Sequence, residues 1–163
     1  MNLKAAFKSK LKSGTRIAVL GVGSELRSDD AAGLLAAGCI NEWVERSRID
    51  SVRVLFGGTA PENMTGEIKR IKPEYLVIID AAEMGLTAGE IDVIDVERIG
   101  GISFSTHSLP LAVLADYIRP SVSGEIFVVG IQPKSLAFGG SVCEEVKAAA
   151  ALVARIFQET ISP

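Results

Sequence analysis

The chain has 163 residues, enough for one domain with a real core. Its 48% hydrophobic and 23% charged residues exclude disorder, and a net charge of −3 gives no surface for nucleic acid or another polyanion. No apolar run approaches the ~18 residues of a membrane span, and the basic first 14 residues lack the uninterrupted apolar stretch of a secretory signal, so a cytoplasmic protein is expected.

In chain order, Leu3, Phe7 and Leu11 recur every four residues among lysines. They predict a short amphipathic helix ending near Gly14 and lying on the body of the protein. "RIAVLGV" is a continuous apolar run, as in a strand covered on both faces. From Asp30 to about Val44 the pattern is helical, with Asp29 and Asp30 near the start. "VRVLFGG" predicts a second strand and "PENMTGEIKRIKP" a short helix stopped before Pro73. "YLVIID" is a third buried strand ending in Asp80, and the alternating "GEIDVID" an added one. "SLPLAVLADYIRP" reads as a helix with Pro110 in its first turn. "EIFVVGIQP" is a further strand, and Val146, Ala149 or Ala150, Val153 and Phe157 share one face of a closing helix. Cys39 and Cys143 have no paired spacing and are expected to be free, buried thiols.

Strands alternating with helices predict a three-layer α/β/α sandwich around a mainly parallel sheet, with ligands gathered at the carboxyl ends of the strands. Asp29 and Asp30 follow the first strand through a loop, Gly57 and Gly58 end the second, and Asp80 ends the third. His107, the lone histidine, stands just before a helix and could reach the same edge. Two carboxylates and an imidazole suit a first-row transition ion better than calcium or magnesium, and three protein ligands leave positions open for water or substrate. From the residues alone, plainer readings stay open. Acids at a helix start are favoured by the macrodipole, a lone histidine is ordinarily just a polar residue, and Gly57–Gly58 is equally an ordinary strand-ending turn. The dinucleotide pattern G-x-G-x-x-G is broken at Leu26, and a phosphate loop would need Gly-Lys-Ser or Gly-Lys-Thr. A phospho-receiver domain is a closer rival, with Asp80 accepting phosphate and Lys134 following the last strand, but receivers hold their acid pair directly at the strand end.

Five blocks taken together carry a resemblance. "GVGSELRSDDAAG" resembles the G-x-G-N-x-L-x-x-D-D/E-G-x-G signature of the hydrogenase maturation endopeptidases. "LVIIDAAEMGLTAGEI" resembles that family's second block and "STHSLPL" its histidine block, while "GGTAPEN" and "VVGIQP" resemble the subgroup serving formate-hydrogenlyase-type (hydrogenase 3 type) [NiFe] hydrogenases. The match runs in order from about Arg16 to Phe157 and leaves the basic first 14 residues as an extension to a single domain spanning 1–163. The resemblance implies the α/β/α fold and one activity: removal of a short C-terminal extension from the nickel-loaded hydrogenase large-subunit precursor. It places the nickel-contacting and catalytic set on Asp30, Asp80 and His107. The nickel belongs to the substrate, and the free enzyme is expected to be metal-free and monomeric. Gly57, Gly58 and Thr59 would let the substrate backbone approach closely. Ser24 stands where the family has Asn and Ala31 where it has Gly. Ser24 should still cap a turn, and Ala31 matters only if its backbone needs a positive φ. Ser105, Thr106 and Ser108 flank His107 without forming a triad pattern, so attack by water is expected, activated by nickel or by a carboxylate. Asp29 is expected to be either a partner of the metal ligands or a cap. A nickel checkpoint protein that docks without cutting is the non-enzymatic alternative.

Overall fold

The computed structural model describes residues 2–104 and 110–162. The chain begins with α1 (Leu3–Lys10), whose first turn is capped by Asn2, the side chain accepting from the Lys4 N–H at 2.9 Å. β1 (Ile17–Val22) follows, then a 3-10 turn over Ser28–Ala31 that runs into α2 (Ala32–Ser47). β2 (Val52–Gly58) leads through a 3-10 turn at Pro61–Met64 into α3 (Thr65–Ile71), then β3 (Tyr75–Glu83) and β4 (Ile91–Asp95). A further 3-10 turn, Val96–Gly101, precedes the short β5 (Ser103–Phe104), then α4 (Leu111–Ile118), β6 (Ile126–Ile131) and α5 (Glu144–Ile161).

The sheet order is β2-β1-β3-β6-β4, with β5 pairing to β3 off that path. β1 pairs parallel with β2 and β3, and β3 pairs parallel with β6. The outer strand β4 runs antiparallel to β6, which departs from the all-parallel sheet of a phospho-receiver. β1 and β6 are buried at every position, because helices cover both faces of the sheet. One face carries α1, α2 and α5 over Val19, Ile79, Phe127 and Val129. The other carries α3 and α4 over Leu20, Ile78 and Val128. The three layers match the sequence expectation.

The N-terminal extension belongs to this core. Phe7 is fully buried and stands edge-on to Phe157, with ring centroids 6.1 Å apart at 89°. Lys10 keeps its ammonium at the rim, 2.6 Å from Asp95 Oδ1 and 3.0 Å from Glu125 Oε2.

Several details differ from the sequence reading. α1 stops at Lys10, short of the expected end near Gly14. α2 starts at Ala32, because Ser28 adopts a left-handed φ of 52° and opens a 3-10 turn that absorbs both acids. Pro110 is the N-cap of α4 and lies outside its first turn. β3 overruns Asp80 to Glu83, since Ala81 still pairs with Ile131 of β6 and Ala82 and Glu83 pair with Phe104 and Ser103 of β5. The cysteines are free, as expected, but they are not buried: Cys39 shares the outer side of α2 with Leu35 and Glu42, and Cys143 is half-buried at the start of α5.

Candidate functional site

The loop leaving β1 closes on one carboxylate. The Gly23 N–H donates to the Gly58 carbonyl at 2.9 Å, tying this loop to the end of β2. One residue on, the Ser24 N–H donates to Asp30 Oδ2 at 3.0 Å. The Ser24 hydroxyl accepts from the Leu26 N–H at 3.2 Å, so serine does cap the turn here. Ala31 sits at φ −72°, where its methyl group carries no strain. Asp30 itself is 1% exposed.

Asp80 is fully buried on β3, opposite Gly130 of β6. Strand side chains alternate between faces, so Asp80 turns to the same side as Ile78, toward the layer of α3 and α4. The Ser28–Ala31 turn that carries Asp30 packs against β3. Gly33 makes that contact close: a β-carbon there would collide with the carbonyl oxygens of Ile79 and Val22, so only glycine lets α2 start against the strand beside Asp80. Two carboxylates are thus brought to neighbouring elements at the carboxyl edge of the sheet. Burial of two acids together is costly unless other groups or a cation compensate.

His107 falls in the segment 105–109, outside the described residues, as do Ser105, Thr106 and Ser108. The chain on either side of it is defined. Phe104 pairs with Ala82, two residues past Asp80, and Pro110 caps α4 on the layer that Asp80 faces. Among the described residues no group of three His, Cys, Asp or Glu side chains stands close enough to hold a metal ion. Gly57 and Gly58 end β2 and Thr59 follows in a turn, next to the Asp30 loop. Gly58 has a φ of +57° and open space where a side chain would project, so a bound chain can approach its backbone closely.

Asp29 is adjacent in sequence but turned to a different task. Its Oδ2 accepts from the backbone N–H groups of Lys134 and Ser135 at 2.8 and 3.1 Å, and its Oδ1 accepts from that of Cys143 at 2.8 Å. Burial opposes its charge, but these N–H donors overcome that and hold the carboxyl below its ordinary range. The same neighbour has the reverse effect on the Cys143 thiol, which burial, then the Asp29 charge, push up. Asp29 therefore fastens the segment between β6 and α5 onto the 3-10 turn. Lys134, the receiver-like lysine, spends its backbone N–H on Asp29 and extends its ammonium to Glu145 at 3.6 Å in solvent.

A second buried polar residue joins distant segments and was not among the predicted site residues. Gln132, 3% exposed, accepts at Oε1 from the N–H groups of Met84 and Leu86 at 2.8 and 3.2 Å, and donates to Glu83 Oε1 at 2.9 Å. It ties the end of β6 to the turn that follows Asp80. Its only sequence signal is an amide after an apolar strand and before a proline, inside the "VVGIQP" block.

Comparison with known proteins gives consistent results. The family model for HycI, described as hydrogenase maturation protease, matches residues 39–159. The hydrogenase 3 maturation protease of Escherichia coli K12 is 36% identical over 135 residues, spanning 79% of this chain and 80% of that protein. The crystal structure of the [NiFe] hydrogenase maturation protease HycI from Thermococcus kodakarensis KOD1 superposes with a TM-score of 0.86 over all of both chains, at 32% identity. The solution structure of the endopeptidase HycI from Escherichia coli gives 0.75 at 32% identity, over 86% of this chain and 87% of that one.

Proposed function

The chain belongs to the hydrogenase maturation protease family, and on that premise we propose that it is an endopeptidase that removes the C-terminal extension of a nickel-loaded [NiFe] hydrogenase large-subunit precursor. The observation that carries the reading is the pair of buried carboxylates, Asp30 and Asp80, on adjoining elements, with the chain into the histidine block paired to the strand that bears Asp80. Nickel is cargo of the substrate, held by the precursor. Asp30, Asp80 and His107 grip that ion, so cutting is coupled to its presence and the scissile peptide is positioned by the same contact. Positioning of this kind supplies up to ~7–11 kcal/mol of a barrier in favourable cases. The chemistry is hydrolysis. A water oxygen adds to the scissile carbonyl carbon, the C–N bond breaks, and a proton from the water ends on the released amine. The water's proton leaves either because a carboxylate takes it or because the cation polarises the water. Gly57, Gly58 and Thr59 receive the substrate backbone. The protein acts as a monomer in the cytoplasm, and no helix among the described residues is long and apolar enough to cross a membrane.

The test is incubation of the purified protein with nickel-loaded and nickel-free precursor, followed by intact mass measurement of the large subunit. Loss of the C-terminal extension from the loaded form alone is expected. A stable complex with no mass loss would make the protein a checkpoint that does not cut. Equal cleavage of both forms would remove nickel from the recognition step. Acetyl phosphate should leave Asp80 unlabelled, in contrast to a receiver.

A further inference from the structure

We propose that the outer edge of β2 is the binding track for the scissile segment of the precursor, which adds to the sheet as an extra strand and is recognised through its backbone. This inference rests on the proteolytic reading above and assigns where the substrate chain lies.

β2 is the outermost strand on its side of the sheet. The Ile17 N–H donates to the Ser51 carbonyl at 2.8 Å, and Ile17 is in parallel register with Val52. In a parallel ladder this fixes the parity: Ser51, Arg53 and Leu55 turn their backbone polar groups toward β1, and Val52, Val54 and Phe56 turn theirs outward. The register is regular up to the Gly21–Phe56 pair and shifts only at Val22 and Gly58, so the outward groups keep a uniform strand repeat.

Open edges invite pairing, and proteins usually blunt them with charge, proline or a covering element. "VRVLFGG" contains one charged residue and no proline, and Phe56 stands 46% exposed at its end. An edge left in this state fits a peptide ligand, whose main chain supplies affinity and whose alternate side chains supply specificity. What singles out the scissile segment as the occupant is where the track leads. β2 runs into Gly58, whose carbonyl accepts from Gly23, and the next residue, Ser24, holds Asp30. A strand laid along Val54–Phe56 is delivered over the open backbone of Gly58 to the buried acids. An extended chain is also the form in which a peptide bond is accessible to attack.

Phe56→Pro tests the track, with Phe56→Ala as its control. Proline removes an outward N–H and leaves the β1 ladder intact, a strand placement that proline tolerates. The expected result is a cooperative melt like that of Phe56→Ala, and a KM for nickel-loaded precursor about fivefold to tenfold above that of Phe56→Ala, the scale of one lost backbone hydrogen bond, with kcat within about twofold. If Phe56→Pro does not fold, Val54→Pro against Val54→Ala gives the same comparison. Equal KM values for the folded proline variant and its alanine control, in an assay where the wild type cuts, overturn the track and leave the protease assignment standing. A wild type that never cuts loaded precursor overturns both.

Discussion

Asp29→Asn removes a charge and one acceptor while preserving shape, and its cost follows from the hydrogen bonds counted at the site. The carboxylate serves three backbone donors, two on Oδ2 and one on Oδ1. Asparagine has a single acceptor atom. Whichever way the amide turns, its NH2 group faces at least one backbone N–H, and the smaller loss turns it toward Cys143. Each bond to a charged acceptor contributes about 1.5–3 kcal/mol and each to a neutral one about 0.5–1.5 kcal/mol, so one lost bond and two weakened ones come to about 3–6 kcal/mol. For a chain of this length each kcal/mol shifts Tm by about 2–4 °C, which puts the variant roughly 6–24 °C below the wild type at pH 7. The difference must depend on pH in a defined direction. The folded-state pKa of Asp29 is lowered from 3.8. A lowered pKa contributes stability that is complete above the unfolded value and is lost as pH falls through the folded one. Urea unfolding of both proteins from pH 7 down to pH 3 should show a constant gap above about pH 5 that narrows below about pH 4. No gap at pH 7, or a gap of unchanged size at pH 3, would refute the account of Asp29 as a charged fastener.

Three further outcomes are expected. His107→Ala and Asp80→Asn should each stay folded by circular dichroism yet cut nickel-loaded precursor at least about a hundredfold more slowly, the scale of a lost positioning contact; wild-type rates in either would remove that residue from the nickel-gripping set. Phe7→Ala should lower unfolding free energy by about 3–5 kcal/mol in urea, because a fully buried ring is replaced by a cavity, while KM for precursor stays put. Gln132→Leu should leave the Met84 and Leu86 N–H groups without their acceptor, at about 1–3 kcal/mol each, and should slow cleavage along with that loss.

Much of the fold is legible in the sequence because buried parallel strands announce themselves. "IAVLGV", "LVIID" and "IFVVGI" are apolar without alternation since helices cover both of their faces. The four-residue spacing of Leu3, Phe7 and Leu11 likewise reports one buried stripe, and all three side chains are buried. What escapes is whatever depends on distant partners. Asp29 meets residues more than a hundred positions away, so nothing local distinguishes a fastener from a ligand or a cap. Gln132 owes its role to a turn on another strand. The overrun of β3 depends on β5, a two-residue strand too short to leave a pattern. Cys39 fails in the opposite way: helical surroundings suggest burial, but its position on α2 falls just outside the covered stripe. Of the candidate site, Asp30, Asp80 and the Gly57–Thr59 segment are found at one edge, while His107, expected there from its place before α4 and from its motif, lies outside the described residues.

The overrun of β3 has a consequence for the proposed recognition of a loaded precursor. Asp80 is bracketed between ladder rungs, with β6 pairing through Ala81 and β5 from Ala82, so its main chain cannot yield without unzipping both. In the proposed function, a carboxylate mounted on such a rail would act as the fixed jaw of a gauge. Discrimination between a filled and an empty precursor would then fall to the dimensions and charge of what is offered to that jaw, and the ion would have to come to the protein at the right depth.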